Sequence, residues 1–85
     1  MKEIDNDAAF AYWLKTARPG EKAAYYRGFL MRDREVFMRN GGFTDNFPPR
    51  IKAALLAWKA YMNGAVSLIQ KKEGEYEYQY IAIKS

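Results

Sequence analysis

The sequence predicts a single α+β domain in which the elements follow the order helix, strand, helix, helix, strand, strand. Apolar residues recur at helical spacing in the first and third quarters of the chain, and residues near the C-terminal end alternate with the period of a β-strand. Glycine and proline residues separate these segments. Because 49% of the 85 residues are hydrophobic, residues 1–85 can form one modest core, and we expect one domain.

The first helix is predicted over residues 6–17. Residues 5–7 (Asp-Asn-Asp) can cap its first turn and place negative charge at the positive end of the helix dipole. Its apolar face is formed by residues at positions i, i+3, i+4 and i+7, namely Phe10, Trp13, Leu14 and Ala17. Pro19 and Gly20 end the helix, and the aromatic stretch that follows predicts a strand over residues 22–27.

Two further helices are predicted over residues 30–40 and 49–63, on either side of an irregular segment. Pro48 and Pro49 suit the first turn of the later helix, and Asn63 and Gly64 suit its end. Its predicted buried face consists of Ile51, Ala54, Leu55, Trp58, Tyr61 and Met62.

The C-terminal residues predict a β-hairpin that begins near Val66 and turns at Glu73 and Gly74. In its second strand the two faces carry different residues, with Tyr76, Tyr78 and Tyr80 on one and Glu77, Gln79, Ile81 and Ile83 on the other. Both faces contain large apolar groups, so the pattern leaves open which face lies against the core.

This order of elements resembles that of a winged helix-turn-helix domain, α-β-α-α-β-β. The resemblance implies a three-stranded antiparallel sheet, formed by the single strand and the C-terminal hairpin. It also implies that the helices over residues 30–40 and 49–63 form the helix-turn-helix, and that the hairpin tip is the wing.

Three short motifs resemble those of small, largely uncharacterised proteins of tailed phages and prophages. They are W-L-x-x-A-x-x-G from Trp13, Y-x-x-G-x-L-x-x-D-R from Tyr25 and G-x-V-x-L-x-Q-[RK] from Gly64. The resemblance implies a phage origin and a winged-helix-like domain, and we expect the protein in the cytoplasm of an infected or lysogenic bacterial cell.

Composition argues against catalysis. The chain has no Cys and no His, so it lacks thiolate nucleophiles, the usual general base and the commonest metal ligand. It contains no phosphate loop, nucleophile elbow or metal motif. We therefore expect a non-enzymatic protein without a metal or another cofactor. No apolar stretch approaches the roughly 20 residues of a membrane span, and no signal peptide is visible, so we expect no membrane association.

The resemblance to winged helix-turn-helix domains and to phage proteins, together with the basic charge, implies double-stranded DNA as the partner, with the protein acting as a regulator or recombination accessory. The net charge is +4, and a basic middle segment lies between acidic ends. Arg and Asn can read base edges, whereas Lys mostly pairs with phosphates. The predicted DNA-binding residues are Arg50, Lys52, Lys59 and Asn63 on the last helix, Arg32 and Arg34 in the middle, and Lys71 and Lys72 at the hairpin tip.

Each of these groups also has a plainer interpretation. A polar helix face can simply be solvated, and acidic residues near the hairpin tip would repel phosphate. The alternative function is a protein-interaction module that binds and modulates a host protein, for which the predicted contacts are Leu56, Tyr76, Tyr78 and Tyr80. The tyrosines could equally pack within the sheet and core. Because so short a chain buries little surface, a homodimer could supply part of the stability.

Overall fold

A computed structural model of the chain describes residues 1–28 and 48–85. Their elements in chain order are β1 (Lys2–Glu3), α1 (Asp7–Thr16), β2 (Lys22–Gly28), α2 (Pro49–Met62), β3 (Val66–Gly74) and β4 (Glu77–Lys84). These strands form one sheet in the order β1-β2-β4-β3, so β4, which follows β3 in the chain, lies between β2 and β3.

The helix α1 begins and ends close to the predicted positions. The Asn6 side chain caps it by accepting a hydrogen bond from the backbone N–H of Ala9 at 2.7 Å. The helix ends at Thr16, and Ala17 is extended, as expected for a segment that approaches Pro19. The predicted helix over residues 6–17 and the predicted strand over residues 22–27 are both confirmed.

The sheet is mixed. β2 pairs antiparallel with β4 through pairs such as Ala23 with Ala82, and β4 pairs antiparallel with β3. The register between β2 and β4 shifts between Ala24 and Tyr26, so Tyr25 is the extra residue of a β-bulge. β1 pairs parallel with β2 through Lys2 and Glu3.

The α+β class is confirmed, but the predicted winged helix-turn-helix arrangement is wrong. Over residues 1–28 and 48–85 the order of elements is β-α-β-α-β-β, and the sheet that these residues form has four strands in a mixed arrangement instead of three antiparallel ones. The added strand β1 has only two residues, both exposed. So short a segment cannot show the alternation by which a strand is recognised in sequence. The helix predicted over residues 30–40 lies outside the described residues.

The hairpin turn lies two residues later than predicted. β3 continues through Gly74, which pairs with Glu77, so the turn residues are Glu75 and Tyr76. Tyr76 has a φ of 58°, in the left-handed region that favours glycine. The turn was predicted at Gly74 because glycine usually occupies the positive-φ positions of hairpin turns, but here Tyr76 occupies one.

The core lies between the two helices and the sheet. Phe10 of α1 is fully buried, and its ring centroid lies 5.6 Å from that of Trp13 and 6.0 Å from that of Tyr25. Burial raises the pKa of Tyr25 to about 12, and the nearby Tyr80 adds to the rise. The neutral phenol is therefore the form that the folded core favours.

The core-facing side of α2 agrees only in part with the predicted one, since Ile51 and Ala54 are buried as predicted but other predicted residues are exposed. Its buried residues are Ile51, Ala53, Ala54, Ala57 and Ala60. Trp58 is 50% exposed and Met62 is 67% exposed, so the predicted burial of this pair is wrong. Since the distance between packed elements depends on the side chains at the contact, an alanine face allows α2 to approach its neighbours closely. The predicted helix over residues 49–63 is itself confirmed to within one residue.

Both faces of β4 contain buried residues, which answers the question that its sequence pattern left open. Ala82 is fully buried and belongs to the core shared with the helices, against which Tyr80 packs. Gln79 and Ile81, on the other face of the strand, are also buried. Neither α1 nor α2 is long and apolar enough to cross a membrane.

Candidate binding surfaces

The predicted DNA-binding residues of α2 do not share one face of the helix. Successive residues are rotated by about 100°, so Lys52, Lys59 and Asn63 follow one stripe while Arg50 projects from roughly the opposite side. Arg50 also lies about 13 Å from Lys59 along the helix axis. Its guanidinium carbon lies 5.3 Å from the centroid of the Tyr26 ring, which is a cation–π contact.

The remaining predicted DNA-binding residues are also dispersed. On β3, Lys71 pairs with Gln79 and Lys72 pairs with Tyr78. Neighbouring residues of a strand point to opposite faces, so these two lysines leave the sheet in opposite directions. Arg32 and Arg34 lie outside the described residues. In the described part of the chain, the predicted cations therefore form no single basic surface.

Arg27 of β2 is held by acidic side chains from two other strands. Its Nη2 lies 2.7 Å from Glu3 Oε1, and its Nη1 lies 3.5 Å from Glu73 Oε1. The hydrogen bond with Glu3 raises the pKa of Arg27, and the charge of Glu73 adds to this effect. Because carboxylates already compensate its charge, Arg27 is a poor phosphate ligand. The sequence could not identify these partners, since both come from distant segments.

A cleft opens where β1 and β2 separate. The backbone N–H of Ile4 donates to the carbonyl of Ala24 at 2.8 Å, and beyond this bond the chain turns away into α1. The cleft has a volume of about 350 Å³, with Ile4 and Asp5 among its lining residues from the β1 segment, Arg27 from β2 and Arg50 from α2. Sequence reasoning missed this cleft because it depends on β1.

The second candidate surface is an exposed group of three residues near the end of α2, here called the α2 apolar patch: Trp58, Tyr61 and Met62. They are 50%, 46% and 67% exposed, and the ring centroids of Trp58 and Tyr61 lie 5.5 Å apart. With aromatic side chains of 150–250 Å² each, the patch exposes roughly 300 Å². Sequence reasoning assigned these residues to the core. Four of the five buried positions of α2 are alanines, and this row of small residues was the sequence signal for the face that packs against the core.

Of the residues predicted to contact a protein partner, only Tyr76 is mostly exposed, at the hairpin turn. Tyr78 and Tyr80 are partly buried, and the Tyr80 ring lies 5.9 Å from that of Tyr26. Leu56 is partly buried and packs against the core. The packing of Tyr80 corresponds to the plainer interpretation that the sequence had left open for the tyrosines.

Residues 1–28 and 48–85 contain no group of three or more acidic side chains that could hold a metal ion. A scan against protein-family models finds no family that matches the chain, and searches of curated proteins and of solved structures find no match either. Function is therefore inferred from the geometry of the two candidate surfaces.

Proposed function

We propose that the chain is a non-enzymatic protein-interaction module that binds a partner protein through the α2 apolar patch. The observation that supports this proposal is the exposure of Trp58, Tyr61 and Met62 on the last turns of one helix. Trp and Tyr are enriched among the residues that dominate binding energy at interfaces. Because α2 packs its alanines into the core, the rings of Trp58 and Tyr61 are exposed and available to contact a partner protein.

The size of the patch indicates how it would be used. At roughly 300 Å² it is well below the about 800 Å² that each partner buries in a standard interface. It would therefore form the apolar centre of a larger contact, with Lys59 and Asn63 in the polar rim. The resemblance to phage proteins makes a protein of the bacterial host the expected partner. Dispersed cations also favour a protein partner over a polyanion.

Double-stranded DNA is the second candidate partner. In the described part of the chain, neither Lys52 nor Lys59 forms an ion pair, so both charges are open to an anionic ligand. Fluorescence anisotropy with a random duplex at several salt concentrations tests this. Micromolar binding that weakens steeply with salt, and that charge reversal at Arg50 and Lys59 abolishes, would support it. Absence of binding at low salt would rule it out.

Site-specific photo-cross-linking tests the protein-interaction proposal. A photoreactive phenylalanine derivative replaces Trp58 in one variant and Tyr12 in a matched control. Tyr12 is 64% exposed on α1, so it is an aromatic residue of similar exposure outside the patch. We expect a discrete cross-linked protein from position 58 and not from position 12.

A second change makes the cross-linking test specific to the patch. With the photoreactive group kept at position 58, Met62→Glu should abolish the cross-link, because a carboxylate in an apolar contact loses its hydration. Thr16→Glu, on the exposed end of α1, serves as the control and should leave the cross-link unchanged. Equal cross-linking from positions 12 and 58, or none from either, would contradict the proposal.

A further inference from the structure

The edge of β2 is only partly covered by β1. β1 pairs with Ala23 and Ala24 alone, whereas β4 pairs with β2 as far as Gly28. Among the described residues, no strand lies beside Arg27 and Gly28 on the β1 side. An uncovered strand edge presents backbone donors and acceptors to which an additional strand can bind.

The bulge in β2 directs the backbone of Arg27 toward this edge. The carbonyl of Ala24 faces β1, where it accepts a hydrogen bond from Ile4. In a regular strand the backbone groups of residues i and i+2 face the same side, but the extra residue Tyr25 moves this relation to i+3. The N–H and C=O groups of Arg27 therefore face the cleft between β1 and β2.

Arg50 supplies a positive charge to the same cleft. It is exposed, and in the described part of the chain it forms a cation–π contact but no ion pair. The first turn of α2, to which it belongs, contains no acidic residue, so the positive end of the helix dipole adds to its charge. Arg27, in contrast, is already paired with Glu3 and Glu73.

The other charges of the cleft limit what it can accept. Asp5 also lines the cleft, where its carboxylate accepts a hydrogen bond from the Asn6 side chain. A run of acidic residues would be repelled by Asp5, whereas a single carboxylate can pair with Arg50. At about 3.3 Å per residue, the edge from Tyr25 to Gly28 accommodates a segment of about four residues.

We infer that the cleft between β1 and β2 binds an extended segment of a partner protein, which adds as a strand to β2 and places one Asp or Glu side chain against Arg50. Arg50 lies about 12 Å from Trp58, the nearest residue of the α2 apolar patch, along the axis of α2. The cleft recognises its ligand through backbone hydrogen bonds and one ion pair. The inference does not depend on the function proposed for the patch.

The probe that tests this inference is a pooled library of capped pentapeptides with random residues on both sides of a central Glu. The pool is titrated into the 15N-labelled full chain, and the amide resonances are followed by NMR. We expect shifts at Arg27 and Gly28. Arg50→Glu should weaken the response at least tenfold, and Arg50→Gln should weaken it less. Lys59→Glu is the matched control for a charge reversal on α2 and should have no effect.

Two further pools separate strand addition from simpler binding. A pool with N-methylated backbones should give no shift at Arg27 and Gly28, because it cannot donate the hydrogen bonds of a strand. With the natural chain, a pool with Gln in place of the central Glu should give a response weakened to about the same extent as that of the Arg50→Gln variant with the Glu pool, because either change removes one charge of the ion pair. Trp58→Ala should leave the response intact, so failure of the patch proposal is distinguishable from failure of this one.

Three outcomes would overturn the inference. The first is the absence of shifts at Arg27 and Gly28 with the Glu pool. The second is an equal response to the N-methylated pool. The third is the reproduction of the shifts by sodium acetate at the same carboxylate concentration, which would identify a simple carboxylate site.

Discussion

The replacement Ala57→Leu tests the packing of α2 directly. Ala57 has no exposed surface and lies in the core that α1, α2 and the sheet share. Leucine adds three carbon atoms where neighbours already fill the space, and overpacking of this kind typically costs about 1–3 kcal/mol. The folding free energy of a chain of this length is roughly 4–13 kcal/mol, so the loss is a substantial part of the total.

Urea denaturation followed by circular dichroism measures this effect. With an m-value of about 1 kcal/mol/M, the midpoint should fall by about 1–3 M. Lys59→Leu introduces the same side chain two positions later on the exposed surface, and it should change the free energy of unfolding by no more than about 0.5 kcal/mol. If Lys59→Leu were the more destabilising change, the assignment of the alanine face to the core would be wrong.

Two further predictions concern α1 and the core. Asn6→Ala removes the helix cap and should lower the free energy of unfolding by about 1 kcal/mol in the same urea assay. Asn6→Asp should retain most of the stabilisation by the cap, because a carboxylate can accept the same hydrogen bond. An unchanged urea midpoint in Asn6→Ala would contradict the role of the cap. Since the pKa of Tyr25 is about 12 in the folded state and near 10 when unfolded, its stabilising effect is complete below pH 10 and is lost as the pH rises through 12. We test this by urea denaturation at several pH values between 9 and 12. Over this range the free energy of unfolding should fall by about 2–3 kcal/mol more in the natural chain than in Tyr25→Phe. An equal fall in both proteins would refute the prediction.

The elements that the sequence predicted well are those with local signals. α1 has a capping residue at Asn6 and a Pro19-Gly20 stop, and both act close to where they occur in the chain. β2 is an aromatic stretch between two glycines, and α2 starts at a Pro-Pro pair. For such segments the physical cause of the structure lies within a few residues of its effect.

The features that the sequence did not predict depend on contacts between distant residues. β1 is recognisable only by its pairing with Ala23 and Ala24. The exposure of Trp58 depends on how closely α2 approaches α1 and the sheet, which helical periodicity does not encode. The same limit applies to the binding surfaces: the partners of Arg27 and the cleft beside Arg50 exist only once separate segments meet.

The position of β4 has a consequence for how the chain acquires its structure during synthesis. β4 follows β2 and β3 in the chain, yet it lies between them in the sheet and pairs Ala82 with Ala23, which precedes it by 59 residues. Until β4 leaves the ribosome, β2 and β3 have no strand between them, and the aromatic residues that will form the core stay accessible to chaperones. The sheet therefore cannot close before β4 has been synthesised, and contacts of such long sequence separation favour slow closure.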